Sequence, residues 1–190
     1  MPATSADLFP PAQTMPAGFD YRPDILDRAE EAALVAEFAA LDFAPYEFRG
    51  VQARRRVVAY GFHNDYRTRR LERSPEIPPF LHGLRTKVAA FAGVPADALQ
   101  QVLVSEYTAG TPIGWHRDRP QYDTIVGVSL LSSATLRLRK EEGGRWLRSS
   151  LTLEPRSAYV LSGAVRNDWQ HSIPAVDALR YSVTFRTLCR

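Results

Sequence analysis

Residues 180–186 read Arg180-Tyr181-Ser182-Val183-Thr184-Phe185-Arg186 (RYSVTFR), a strict alternation of polar and apolar side chains. Successive residues of a β-strand point to opposite faces, so Arg180, Ser182, Thr184 and Arg186 share one face and Tyr181, Val183 and Phe185 the other. The second set suits a packed core. The first set poses the question, because two arginines turned into a barrel are costly unless an anion meets them. An edge strand with hydrated arginines is the alternative.

The stretch ends a series. From Gln101 the chain breaks into short segments bounded by turn residues: QQVLVSEY, GWHRD, TIVGVSLL, ATLRLRK, WLRSSLTL, SAYVLSG, HSIPAV and RYSVTFRTL. Many of them alternate, which predicts an antiparallel sandwich or barrel. Upstream, Asp27 and Glu30 form a capping-box pattern ahead of Leu34, Phe38 and Leu41 at helical spacing. A second helix is expected after Pro79, with Leu81, Leu84, Val88 and Phe91 on one face and Gly93 as its stop. Residues 1–20, rich in Pro, Ala and Thr, read as an extended leader. The expected class is α+β, mainly β, in one domain over residues 21–190.

Composition narrows the function classes. A chain of 190 residues can bury a sufficient core without disulfides. Its only cysteine, Cys189, excludes both an intramolecular disulfide and a cysteine-based zinc cluster, and a reducing cytoplasm is the expected compartment. There is no signal-peptide pattern and no apolar run long enough for a membrane helix. A soluble intracellular protein is expected, monomeric by default. The net charge is only +3, yet the basic residues are almost all arginine, with lysine at Lys87 and Lys140 alone. Genomic composition produces such a bias as readily as phosphate recognition does.

One segment, residues 44–75, concentrates the arginines among aromatics. Arg54, Arg55 and Arg56, followed by Tyr60 and Phe62, suit a lid in which guanidinium groups contact phosphates and an aromatic stacks a displaced base. Equally, Tyr60 and Phe62 could be core residues of a hairpin whose solvated face carries the arginines.

The stretch GWHRDRP, residues 114–120, holds the metal candidates. On a strand, His116 and Asp118 present an imidazole and a carboxylate to one point, and His171 supplies a third donor from a distant strand. Two histidines and a carboxylate on one face of Fe(II) leave open positions for a bidentate cosubstrate and dioxygen; zinc is the competing metal. The alternative is a pair of hydrogen-bonded, near-surface histidines. A dicarboxylate with one end on iron and the other between arginine forks would also answer the question that RYSVTFR poses.

In this order, HRD, His171 and RYSVTFR, with SEYTAGTPIGWHRD leading into them, resemble the AlkB-type Fe(II)- and 2-oxoglutarate-dependent dioxygenases. The resemblance covers residues 100–188 well and 44–75 loosely. It implies a double-stranded β-helix (jelly-roll) core at 100–188, N-terminal supporting helices, and a substrate lid at 44–75. It implies Fe(II) on His116, Asp118 and His171. The distal carboxylate of 2-oxoglutarate would rest on Arg180 and Tyr107, with Arg186 near the chelating end. Ser105 and Ser182 stand where the family often has asparagine, and each can still donate a hydrogen bond. With dioxygen as the other cosubstrate, the implied activity is oxidative dealkylation of alkylated DNA or RNA, releasing aldehyde, CO2 and succinate.

Trp115, Arg117, Trp169 and Tyr122 are further candidates for the substrate pocket. One departure bears on substrate: the family's nucleic-acid dealkylases commonly carry an acidic residue two positions past the metal carboxylate, where this chain has Pro120, which offers no side-chain acceptor. Two other readings are the same chemistry on a protein or small molecule, and a non-enzymatic, metal-bound jelly-roll binding protein.

Overall fold

A computed structural model describes residues 15–48, 51–64 and 71–189. In chain order its strands are β1 (Phe19–Arg22), β2 (Ala44–Phe48), β3 (Val51–Tyr60), β4 (Phe62–Asn64), β5 (Leu71–Arg73), β6 (Leu99–Tyr107), β7 (Ile113–His116), β8 (Tyr122–Leu130), β9 (Ala134–Glu142), β10 (Arg145–Leu153), β11 (Ser157–Leu161), β12 (Gln170–Ile173) and β13 (Arg180–Leu188). The helices are α1 (Arg28–Phe38), α2 (His82–Ala92) and α3 (Gly163–Asp168). Seven strands form one antiparallel sheet in the order β1-β11-β8-β13-β6-β3-β2, and four form a second, β10-β9-β12-β7. From β6 onward the chain passes repeatedly between the two sheets, which is the winding of a double-stranded β-helix.

The caps follow their sequence signals. Asp27 and Glu30 exchange side-chain and backbone hydrogen bonds at the start of α1, and Gly93, in the left-handed region at φ 66°, ends α2. Leu34 and Phe38 of α1 and Leu84 and Val88 of α2 are buried against Val102, Val104, Val128, Val183 and Phe185 of the large sheet. That packing covers the outer face of the sheet. A second cluster, with Ile125, Leu136, Leu138, Leu153 and Leu161, fills one end of the space between the sheets.

The strand RYSVTFR lies at the centre of the large sheet, between β6 and β8, so the edge-strand alternative does not hold. Tyr181, Val183 and Phe185 join the helix-side core, and the four polar residues face the interior. The leader reading requires a correction at its boundary: Phe19 and Asp20 already belong to β1, paired with Leu161 and Val160 of β11. Residues 1–14 lie outside the described residues. Helix α3 carried no periodic apolar signal and was not expected.

The segment at 44–75 divides. Strands β2 and β3 extend the large sheet, with β3 paired to β6, whereas β4 and β5 form a separate hairpin beyond Gly61. Arg49 and Arg67, Arg69 and Arg70 of the basic cluster lie outside the described residues.

Candidate active site

His116 closes β7 and His171 sits directly opposite it on β12, so the two imidazoles meet through strand pairing. Their ring centres are 4.2 Å apart. Asp118 follows β7 by two residues, and one of its oxygens lies 3.4 Å from His171 Nε2. One donor atom from each of the three residues falls within 4.8 Å of the others, the one such grouping of His, Cys, Asp and Glu side chains among the described residues. His116 Nδ1 is 2.9 Å from the Gly114 carbonyl oxygen. A carbonyl accepts only, so Nδ1 carries the proton and Nε2 keeps its lone pair for a metal.

The protonation states complete a ligand set. Burial, reinforced by the neighbouring His116, pushes His171 down to about 3, and burial likewise lowers His116. Both imidazoles are therefore neutral donors. Burial alone would raise the Asp118 carboxyl, but Arg186 and the two histidines outweigh it and hold it well below the usual carboxylate range. Two neutral imidazoles and one carboxylate are a donor set that Fe(II) takes while keeping positions open.

Arg186 Nη2 donates to Asp118 Oδ1 at 3.1 Å and its Nη1 donates to Gln101 Oε1 at 2.6 Å. Gln101 stands opposite Arg186 on β6, so strand register aims the guanidinium at the metal set. Six residues earlier, Arg180 is fully buried and opposite Tyr107, with its guanidinium carbon 5.1 Å from the Tyr107 ring centre. Its Nε donates to Ser129 Oγ at 2.9 Å. Its two terminal nitrogens, also buried, have no hydrogen-bond partner among the described residues.

Unmet donors on a buried cation are costly. A ligand carboxylate would satisfy both. Ser105 and Ser182, which face each other across β6 and β13, line the same cavity as Tyr107. The chain thus fits a dicarboxylate: neutral imidazoles and Asp118 at a metal end, Arg180 with Tyr107 at the other.

The cavity has a volume of about 510 Å³ and runs from the metal set and Tyr107, against whose ring Arg180 packs, to Pro45, Tyr46, Ala53 and Arg55. Alternation along β3 sorts the sequence candidates. Arg55 lines the cavity, its guanidinium carbon 4.0 Å from the Tyr46 ring centre, with Nε buried and unpartnered among the described residues. Arg56 points the other way and pairs with Glu106 at 2.6 Å. Tyr60 packs against the helix-side core, and Arg54 shares that side of the strand and is exposed. These three stand apart from the metal set.

Phe62 lies under Arg73 and lines a separate cleft of about 330 Å³. Arg117 is exposed, borders the main cavity and donates to the Asn167 carbonyl. Trp115 also borders the cavity, but its ring lies against Arg139 and Arg137 on the face of the sheet opposite His116. Trp169 packs against the inner core cluster, and Tyr122 lines the cavity beneath Arg186.

Four residues of the site escaped the sequence reading. Ser129 and Gln101 hold the two arginines. Tyr159, whose hydroxyl is pushed up to about 12 by burial, lines the cavity and stays protonated. Arg166 of α3 is buried and donates through Nη2 to the carbonyls of Arg119 and Tyr122, pinning the turn after Asp118. Inward alternation in SAYVLSG was the one available signal, for Tyr159; the others depend on cross-strand and interelement partners.

Comparison with known proteins agrees with this geometry. The family model of the 2OG-Fe(II) oxygenase superfamily matches residues 21–186. An Arabidopsis thaliana protein named alkylated DNA repair protein ALKBH8 homolog is 28% identical over 176 residues, covering 80% of this chain and 49% of that protein. The Bos taurus alpha-ketoglutarate-dependent dioxygenase alkB homolog 7, mitochondrial, is 35% identical over 156 residues, covering 80% of this chain and 65% of that protein. The chain thus spans about half the length of the plant relative.

Among solved structures, OsALKBH1 superposes with a TM-score of 0.67 at 17% identity, over 93% of this chain and all of that one. A Pseudomonas putida prolyl-4-hydroxylase gives 0.63 at 13% identity, over 91% and 93%. These two likenesses show the fold. With the His116, Asp118 and His171 set, the paired arginines of β13 and the matching family model, the chain belongs to the 2OG-Fe(II) oxygenase superfamily as an AlkB-type dioxygenase, with Fe(II), 2-oxoglutarate and dioxygen as its cofactors.

Proposed function

We propose that the protein oxidatively removes N-alkyl groups, methyl above all, from nucleic-acid bases. The observation that carries this reading is Arg55, stacked on Tyr46 in the cavity wall, with a buried Nε that has no hydrogen-bond partner among the described residues. A cation and an aromatic ring side by side suit a phosphate and a displaced base. The cavity volume of about 510 Å³ is ample for one base.

The residues divide the work. His116, Asp118 and His171 would hold Fe(II), and Arg180, Tyr107, Ser105 and Ser182 would hold the far carboxylate of 2-oxoglutarate. Bound there, the metal and cosubstrate would supply oxidation of a substrate C–H bond to C–OH by dioxygen, balanced by conversion of 2-oxoglutarate to succinate and CO2. Arg186 keeps Asp118 ionised and oriented. Tyr159 is a hydroxyl donor in the cavity wall, and the apolar residues Ile125 and Ile173 limit water. No side-chain base is required: a hydroxylated N-methyl group collapses to formaldehyde and the amine. The sole cysteine suits a reducing compartment such as the cytoplasm, and no helix among the described residues is long and apolar enough to cross a membrane.

The same oxygenase chemistry on a protein or small molecule is favoured by one observation: Pro120 offers its backbone carbonyl to Cys189 Sγ and has no side-chain acceptor for a base edge. Oligonucleotides bearing N-methylated bases, incubated with Fe(II), 2-oxoglutarate and air, decide between the readings by mass spectrometry. Loss of the methyl group, absent in His116→Ala, supports nucleic acid. Succinate formation without any demethylation across the panel would reject it.

A further inference from the structure

The four-stranded sheet has an outer face that the oxygenase site does not use. Leu136 and Leu138 of β9 are buried inward, so Arg137 and Arg139 point outward. Arg139 lies between two indoles, its guanidinium carbon 4.3 Å from the Trp115 ring centre and 4.4 Å from that of Trp146. Arg137 is 5.3 Å from Trp115. Register builds the rest: Arg139 stands opposite Arg148 of β10 and Gln170 of β12, and Arg137 opposite Ser150 and Ser172. Gln170 and Ser172 accept from the Nε atoms of Arg139 and Arg137 at 2.7 and 3.2 Å.

This face carries net positive charge, with Arg137, Arg139 and Arg148 set against Glu141, which shares it by alternation and stands opposite Trp146. Among the described residues, Arg137, Arg139 and Arg148 have no carboxylate partner, while the nearby acids Glu142 and Asp168 are taken by Lys140. Trp146, on the same face as Arg148, keeps 41% of its surface in solvent. Guanidinium groups tethered through Nε against indole faces keep terminal N–H donors for an anion, and an exposed indole stacks a flat ring. Phosphates and bases in alternation along one strand match both needs.

We propose that the outer face of β10-β9-β12-β7 binds a single-stranded segment of nucleic acid. Strand β7 is the edge of that sheet, and Arg117, exposed and bordering the cavity, continues the basic surface around it. A strand held on this face reaches the cavity mouth round one edge strand. The proposal stands on this surface alone, so binding and dealkylation are read separately: binding without demethylation leaves it intact while rejecting the substrate reading above.

The test is fluorescence anisotropy of fluorescein-labelled oligo(dT) with the full chain at several salt concentrations. Arg137→Glu combined with Arg148→Glu is expected to weaken binding by about tenfold or more and to lower the salt slope by roughly 0.7 for each arginine lost. Cobalt(II) binding at the metal set should not change. Photo-crosslinking of a bromodeoxyuridine oligonucleotide to the wild-type protein, mapped by mass spectrometry, should label the peptide containing Trp146, a readout independent of how well the double variant folds. The proposal is overturned if the double variant binds like wild type, if crosslinks fall only on residues 44–62, or if polyglutamate binds as tightly with the same sensitivity to the substitutions. The last result would assign the face to an acidic protein.

Discussion

Arg186 and Asp118 meet at 3.1 Å, so the final strand of the chain, in the large sheet, neutralises the one carboxylate of the metal set, carried on the turn that follows β7 of the other sheet. Both side chains are about nine-tenths buried. Breaking such a pair leaves an uncompensated charge. Arg186→Met should cost about 3 kcal/mol in urea denaturation and weaken cobalt(II) binding. Unchanged stability would mean that Asp118 finds another partner.

Arg180 contrasts with it, being buried with two terminal nitrogens that have no hydrogen-bond partner among the described residues. Among the described residues its guanidinium donates one hydrogen bond, to the uncharged hydroxyl of Ser129. Arg180→Met should therefore change ligand-free stability little, while weakening 2-oxoglutarate by about 100-fold through two lost charge-assisted bonds. Thermal unfolding reads both: wild type should gain about 3 kcal/mol at a hundredfold excess of 2-oxoglutarate over Kd, and the variant should gain almost nothing.

Arg55 and Arg56 are neighbours with opposite destinations. Arg56→Ala should destabilise the sheet edge by at most about 1 kcal/mol, because half of that side chain is in solvent, and should leave turnover unchanged. Arg55→Ala should lower turnover of the alkylated substrate without destabilising the fold. The reverse outcome in paired stability and turnover assays would place the substrate on the other side of β3.

Gly127 faces Tyr159 across the β8–β11 pair. A Cβ at this position would lie 2.3 to 2.5 Å from the tyrosine ring and hydroxyl. Gly127→Ala should therefore displace Tyr159 at a cost of about 1–3 kcal/mol. A crystal structure of the variant with Tyr159 unmoved would contradict this.

Acid should destabilise the metal-free protein early. His171 is held at about 3 against 6.5 for a free imidazole. Between those values the unfolded chain binds a proton that the folded chain excludes, so stability falls as pH drops through that window. Asp118, whose folded value is also depressed, adds to the loss in the same direction at lower pH. The urea midpoint of chelator-treated protein should decline from pH 6.5 towards 5, less steeply in His171→Ala. A flat wild-type profile would show His171 protonated in the fold.

What could be read in the chain was what repeats locally. Alternation in RYSVTFR placed Arg180 and Arg186 on one face; His116 and Asp118 do converge, but β7 ends at His116, so it is the turn after the strand and not strand alternation that brings Asp118 round. The caps at Asp27 and Gly93 were equally local. Ser129, Gln101 and Arg166 were not legible, because their roles come from registers and contacts across forty residues or more. Alternation also decided the arginine run: one residue of offset sends Arg55 to the cavity and Arg56 to Glu106. Nothing in the run itself says which face is inward until β3 is paired with β6.

The site is divided between layers, with His116 and His171 on the four-stranded sheet and Arg180 and Arg186 on the seven-stranded one. A ligand gripped at both ends ties the layers together like a rivet, and prying them apart must first release it. Loading with metal and 2-oxoglutarate should then lengthen the lifetime of the native state against a protease, through a slower rate of opening rather than only a more favourable equilibrium.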